Sequence, residues 1–255
     1  MILNAVSRGE GPVLVMLHGL FGQAGNFGAV QRRLAEGGRK VVALDLRNHG
    51  ASGHAAGMHY HTMAADVAET LAALDVLPCA ILGHSMGGKV AMALALNRPD
   101  LVARLLVADI APVRYRPHLA TYAQAMLDLP LSPSLTRAEA DTALAAAVDD
   151  AGVRAFLLNN LRLGARPHWR IGLWEIAAAM DDIQDWPPVD APPYAGPTLF
   201  LSGARSNYVR EEHRPAIRAL FPSARFVSLK NAGHWLHADD PEGFMAVLEA
   251  FCPPG

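Results

Sequence analysis

At 255 residues, 51% hydrophobic and 18% charged, the chain carries enough apolar matter for a sizeable core and is not a disordered segment. A formal net charge of −2 with no basic block excludes a surface built to grip phosphate backbones or anionic membranes, so neither nucleic acid nor membrane is expected as a partner. Cys79 and Cys252 lie too far apart for a disulfide framework or a cysteine-based zinc centre. The first residues, Met1-Ile2-Leu3-Asn4-Ala5-Val6-Ser7-Arg8, lack the basic start and apolar run of a signal peptide. No run reaches the ~18 apolar residues of a membrane span, which makes the cytoplasm the default location.

Six short apolar runs, at residues 13–17, 41–44, 80–82, 105–108, 198–201 and 226–229, are separated by turn signals. Apolar on both faces, they suit strands of a sheet covered on both sides. Helical stretches lie between several of them, at residues 26–35, 63–74, 89–96, 214–220 and 242–251. Such alternation predicts an α/β fold with a mostly parallel, doubly wound sheet. Between about Pro112 and Pro192 the alternation stops, and the Ala- and Leu-rich pattern is helical, broken by Pro130, Pro133, Gly152, Gly164 and Pro167. An insertion of that length predicts a helical cap of residues 112–192 over a core of residues 1–111 and 193–255.

The sharpest motif is Gly83-His84-Ser85-Met86-Gly87-Gly88, with a strand-like run before it and a helical one after. A glycine on each side of Ser85 lets the chain turn sharply enough to project Oγ from the top of a sheet, as a nucleophile elbow requires. Neither glycine pattern of the phosphate-binding loops occurs in the chain. A serine hydroxyl needs a base to take its proton. His234, in Asn231-Ala232-Gly233-His234-Trp235, follows the last strand-like run and precedes the helix that Pro241 introduces, which makes it the candidate base; the nearby His237 is expected to be a surface or packing residue. His49, His54, His59 and His61 form a loose cluster with no suitably interleaved carboxylate, so a mobile loop is expected there and no metal site.

An oxyanion needs two backbone donors. Met86 supplies one. The other is expected from His18-Gly19-Leu20-Phe21-Gly22, with the Leu20 amide as donor, Phe21 as the neighbouring alternative, and Phe21 also as a wall of the pocket. Asp45, in Asp45-Leu46-Arg47, is expected to anchor turns together with Arg47.

Together, His18-Gly19, Asp45-Leu46-Arg47-Asn48-His49-Gly50-Ala51-Ser52, Gly83-His84-Ser85-Met86-Gly87-Gly88 and Gly233-His234-Trp235 resemble an α/β-hydrolase over nearly the whole chain. Within that superfamily the chain resembles the small bacterial YbfF-type esterases, through His18-Gly19-Leu20-Phe21-Gly22, Asp109-Ile110-Ala111-Pro112 and Phe156-Leu157-Leu158-Asn159-Asn160-Leu161. The resemblance implies an eight-stranded sheet with the cap between its sixth and seventh strands. It also implies cofactor-free hydrolysis of esters or thioesters of short to medium acyl chains, in a pocket formed by the cap with Trp174 as a wall.

Most relatives carry their acid just after the strand that follows the cap. Here residues 198–201 run into Ser202-Gly203-Ala204-Arg205-Ser206-Asn207-Tyr208, with no carboxylate at the turn. Asp109, at the tip of the strand neighbouring that of Ser85, is the candidate acid, an arrangement that YbfF-type relatives resemble. Glu211 or Glu212, and a dyad completed by Ser206 or Asn207, are the alternatives. Rival functions remain open: cleavage of a carbon–carbon bond or lyase chemistry on a carboxylated substrate held by Arg162, Arg166 and Arg170, or a non-catalytic small-molecule receptor. Ser85 excludes haloalkane dehalogenation, which needs a carboxylate at the elbow. Nothing in the pattern sets an oligomeric state.

Overall fold

The chain opens with β1 (Ala5–Arg8), β2 (Val13–Leu17), α1 (Gly28–Glu36), β3 (Lys40–Leu44), α2 (Tyr60–Ala73), β4 (Cys79–His84), α3 (Met86–Asn97) and β5 (Val102–Ala108). Next come α4 (Leu119–Asp128), α5 (Arg137–Leu144), α6 (Ala151–Leu158), the two-residue strands β6 (Leu161–Arg162) and β7 (His168–Trp169), α7 (Leu173–Ala178) and α8 (Met180–Gln184). The chain then returns through β8 (Thr198–Gly203), α9 (Arg214–Leu220), β9 (Ala224–Leu229), α10 (Leu236–Asp239) and α11 (Pro241–Phe251). This is a computed structural model describing residues 1–115, 119–188 and 190–253; residues 116–118 and 189 of the expected cap and 254–255 of the expected core lie outside the described residues.

The described strands form a seven-stranded sheet in the order β1-β3-β2-β4-β5-β8-β9, together with a small β6–β7 hairpin. The large sheet is parallel except at β1, which pairs antiparallel with β3. Two expectations are corrected. The sheet has seven strands and not eight, because the residues before Val13 make a single edge strand, and the inserted helices accordingly fall between its fifth and sixth strands, β5 and β8. The insertion also contains the β6–β7 hairpin, whose two-residue strands are too short to leave a periodic signal.

Alternation along each strand divides the core. Leu14 and Met16 of β2 pack with Val30 and Leu34 of α1 and Phe244 and Leu248 of α11, while Val15 and Leu17 face Val67 and Leu71 of α2 and Val90 and Leu94 of α3. Both faces are covered, which is why these strands read as unbroken apolar runs. Residues 86–96 of helix α3 are all buried, and all of them except Lys89 are apolar or glycine. No helix of the described residues is long and apolar enough to cross a membrane.

The topology sets where chemistry can sit. Strand order reverses at β2, since α1 leads to β3 on one side and α2 returns the chain to β4 on the other. In open α/β sheets the crevice above the carboxyl ends of the strands at such a reversal is the usual ligand site. The strand tips are level there, with Leu17 opposite Gly83, His84 opposite Ala108, and Ala108 opposite Leu201.

Candidate active site

Ser85 occupies the one-residue turn between β4 and α3, with φ 53° and ψ −123°. This left-handed conformation is strained for a residue with a side chain and holds only where surrounding contacts dictate it. Here the Ser85 amide donates to Ala108 O at 2.9 Å, and the Ser85 carbonyl accepts from the Gly88 and Lys89 amides at 2.8 and 3.2 Å. Gly83 is required beside it, since a Cβ there would lie 2.2 Å from the Gly87 carbonyl oxygen.

His234 reaches the same point from the loop after β9. Its Nε2 faces Ser85 Oγ at 3.1 Å, and its Nδ1 donates to Asp109 Oδ2 at 2.7 Å. Asp109 ends β5 in a left-handed turn (φ 52°), and its side chain is wholly buried. The carboxylate is held from a second strand end: Gly203 N donates to Oδ1 at 3.2 Å, and Ser206 Oγ donates to Oδ2. Ser206 therefore contacts the carboxylate. Glu211 and Glu212 are exposed on a short 3-10 turn, where Glu211 pairs with Arg214 and Glu212 with Arg210.

The imidazole is fixed from several sides. The Tyr208 ring stacks on it at 4.1 Å between centroids, and His84 Nε2 donates to its backbone carbonyl at 2.7 Å. Burial, with the neighbouring His234 and His237 adding to it, holds His84 well below the ordinary histidine range and so neutral. Tyr115 ties the Tyr208 backbone in turn, donating to its carbonyl at 2.6 Å while accepting from Ala111 N at 2.8 Å.

The loop after β2 lies against the elbow; a Cβ on Gly19 would sit 3.1 Å from the Ser85 Cβ. Phe21 N donates to His49 Nε2 at 3.0 Å and Phe21 O accepts from Asn160 Nδ2 at 2.8 Å, so the Phe21 amide is already engaged. By contrast, neither the Leu20 nor the Met86 amide has an acceptor among the described residues. His49 is fully buried and pushed down to about 3, chiefly by burial, so it is a neutral acceptor for Phe21. His49 belongs to a packed network and stays inside, while His59 and His61, stacked on each other, lie at the start of α2, so these histidines do not share one loop. Among the described residues no group of three or more His, Cys, Asp or Glu is placed to hold a metal ion. Asp45 spends its carboxylate on Ala24 N, Asn4 Nδ2 and Ala51 N at 2.6, 2.8 and 2.9 Å, and Arg47 Nε donates to Asp66 at 2.6 Å.

A cavity of about 650 Å³ opens above Ser85. On one side it is bounded by Leu119, Tyr122, Val153, Phe156 and Leu157 of the inserted helices, and on the other by Phe27, Val30 and His237. Phe21 and Trp235 also line it. Trp174, expected as a wall, does not: α7 turns Leu173 and Ile176 inward, leaving Trp174 75% exposed. Arg162, Arg166 and Arg170 do not line the cavity either, and Arg170 donates to Gln23 Oε1 at 3.3 Å. Sequence reasoning missed Tyr208, Tyr115 and Asn160, whose roles come from contacts across the fold and leave no local signal.

An alcohol, an imidazole and a buried carboxylate in series, beside two uncommitted amides, can activate the alcohol as a nucleophile and receive an oxyanion. The chain is 44% identical over 248 residues to a mouse sn-1-specific diacylglycerol lipase (94% of this chain, 80% of that protein). It is 34% identical over 240 residues to Escherichia coli esterase YbfF (93% and 92%). Among solved structures, a marine microorganism esterase matches with a TM-score of 0.94 at 34% identity, covering 98% of this chain and 99% of that one. Residues 12–241 match the family model described as alpha/beta hydrolase fold, and the chain belongs to that family.

Proposed function

We propose that the protein is a serine ester hydrolase that cleaves carboxylic esters, thioesters included, of short to medium acyl chains through an acyl-Ser85 intermediate. The observation that carries this reading is the unbroken contact line from Ser85 Oγ to His234 Nε2 (3.1 Å) and from His234 Nδ1 to Asp109 Oδ2 (2.7 Å). His234 takes the Ser85 proton as Oγ attacks the ester carbonyl. Asp109, held by Gly203 N and Ser206 Oγ, keeps the proton on Nδ1 and stabilises the imidazolium that forms. The Leu20 and Met86 amides receive the oxyanion, since the Phe21 amide is committed to His49. The tetrahedral intermediate collapses as His234 protonates the leaving alcohol or thiol; His234 then deprotonates a water, which attacks the acyl group and frees Ser85.

Residues 112–192 serve as a cap over a core of residues 1–111 and 193–255, and the apolar faces of α4 and α6 hold the acyl chain away from water. The esterase and lipase names of the relatives agree with this chemistry. Hydrolysis of p-nitrophenyl acyl esters from two to sixteen carbons tests it. Wild type turns over the series with a short-to-medium optimum and Ser85→Ala loses about 10⁴-fold or more in kcat. A folded wild type inactive across the series, or an undiminished Ser85→Ala, overturns the reading.

A further inference from the structure

The histidines around the site are committed to partners, with one exception. His18 Nε2 accepts from Leu46 N, His49 Nε2 accepts from Phe21 N, and His84 and His234 are bonded as described. His237, on α10, lines the cavity yet makes no hydrogen bond through either ring nitrogen among the described residues, and its Nδ1 is enclosed without a partner. Its ring is held by packing: Phe27 at 5.2 Å, His84 edge-on at 5.6 Å and Phe244 at 5.9 Å.

The titratable groups facing it are Asp239, His234 and His84. Asp239 is engaged elsewhere, accepting from Gly233 N at 2.7 Å. Burial pushes His237 down to about 4, so the ring is neutral near pH 7 and offers one donor and one acceptor. With Nδ1 shut in, Nε2 is the polar atom left for a ligand. A ligand hydroxyl placed at Nε2 forms a hydrogen bond that a hydrocarbon of equal shape cannot, and so is favoured over it. Ala238 and Asp239, which line the same cavity, are exposed, and we take the His237 side as the side where the alcohol part of the ester lies.

We infer that His237 is a specificity residue whose Nε2 hydrogen-bonds a free hydroxyl on the alcohol part of the ester, making monoesters of diols and other polyols the preferred substrate class. This rests on the ester-hydrolase reading above. The cleavage itself is the acyl transfer already written, with water as acceptor and the diol as leaving group.

The test compares kcat/KM for 2-hydroxyethyl butyrate with propyl butyrate, and for 3-hydroxypropyl butyrate with butyl butyrate, by titrating the released acid. Wild type should favour at least one hydroxylated partner by about tenfold or more. In His237→Phe, which keeps a ring and removes both nitrogens, that ratio should fall to about one, and in His237→Gln, which restores a donor and an acceptor, it should stay above one. A purely packing role would move both members of a pair together and leave the ratio alone. A wild-type ratio near one, or a ratio unchanged in His237→Phe, overturns the inference while p-nitrophenyl butyrate turnover leaves the hydrolase reading standing. Loss of that turnover in wild type overturns both.

Discussion

The ends of β5 and β8 lie side by side, with Ala108 opposite Leu201, and both loops that follow approach His234. One supplies the carboxylate of Asp109. The other supplies Gly203 N and Ser206 Oγ, which point at that carboxylate. An imidazole that must keep its proton on Nδ1 needs a carboxylate there, but parallel strands in register give two equivalent places from which to bring it. The neighbouring strand end then holds that carboxylate in place.

This division of labour can be broken in graded steps. Asp109→Asn keeps the shape, but an amide that donates towards Nδ1 favours the wrong tautomer, so kcat on p-nitrophenyl butyrate should fall about 10⁴-fold with the fold intact by circular dichroism. A loss below about tenfold would move the acid elsewhere. Exchanging the two ends in Asp109→Ser/Ser206→Asp should recover on the order of 10²-fold over Asp109→Ser alone, because the second strand tip already reaches the same oxygen; no recovery would show that the two positions are not equivalent. Ser206→Ala removes one hydrogen bond to the Asp109 side chain and should lower kcat about tenfold with little change in KM.

The smallest effect lies one turn below Ser85 and separates the strand ends from the helix that follows Ser85. Lys89 is buried between the Tyr60 and Tyr115 rings and donates to Asp185 O at 2.6 Å, and burial pushes it down to about 7 from an ordinary 10.5. Between those values the unfolded chain binds a proton that the folded chain lacks, so this group's contribution to stability declines as pH falls from 10.5 to about 7 and is flat below. Melting curves of Lys89→Met and wild type should therefore shift relative to one another between pH 10 and pH 7, in favour of the variant at the lower pH. Parallel curves would contradict the burial of an uncharged amine.

Much of this layout is legible in the sequence where a local pattern carries it. The parallel strands announce themselves because both of their faces are covered, and the elbow because a residue turning so sharply needs glycines around it. β1 escapes notice because Ala5-Val6-Ser7-Arg8 is a half-exposed edge strand with no apolar run, and the strand count borrowed from a resemblance came out one too high. Trp174 was misplaced because composition does not say which face of a short helix turns inward. The support that Ser206 gives Asp109, the Tyr208 stack and the His49 bond to Phe21 join residues 97, 26 and 28 positions apart, and such pairings appear only once the sheet is assembled.

The central claim is that Ser85 is a nucleophile activated by His234. Reaction of the protein with a fluorescent alkyl phosphonofluoridate, followed by intact mass and peptide mapping, tests it most directly. The account predicts one adduct per chain on the peptide bearing Ser85, absent in Ser85→Ala and strongly slowed in His234→Ala. A folded wild type that takes no label, or one labelled equally in Ser85→Ala, would contradict it.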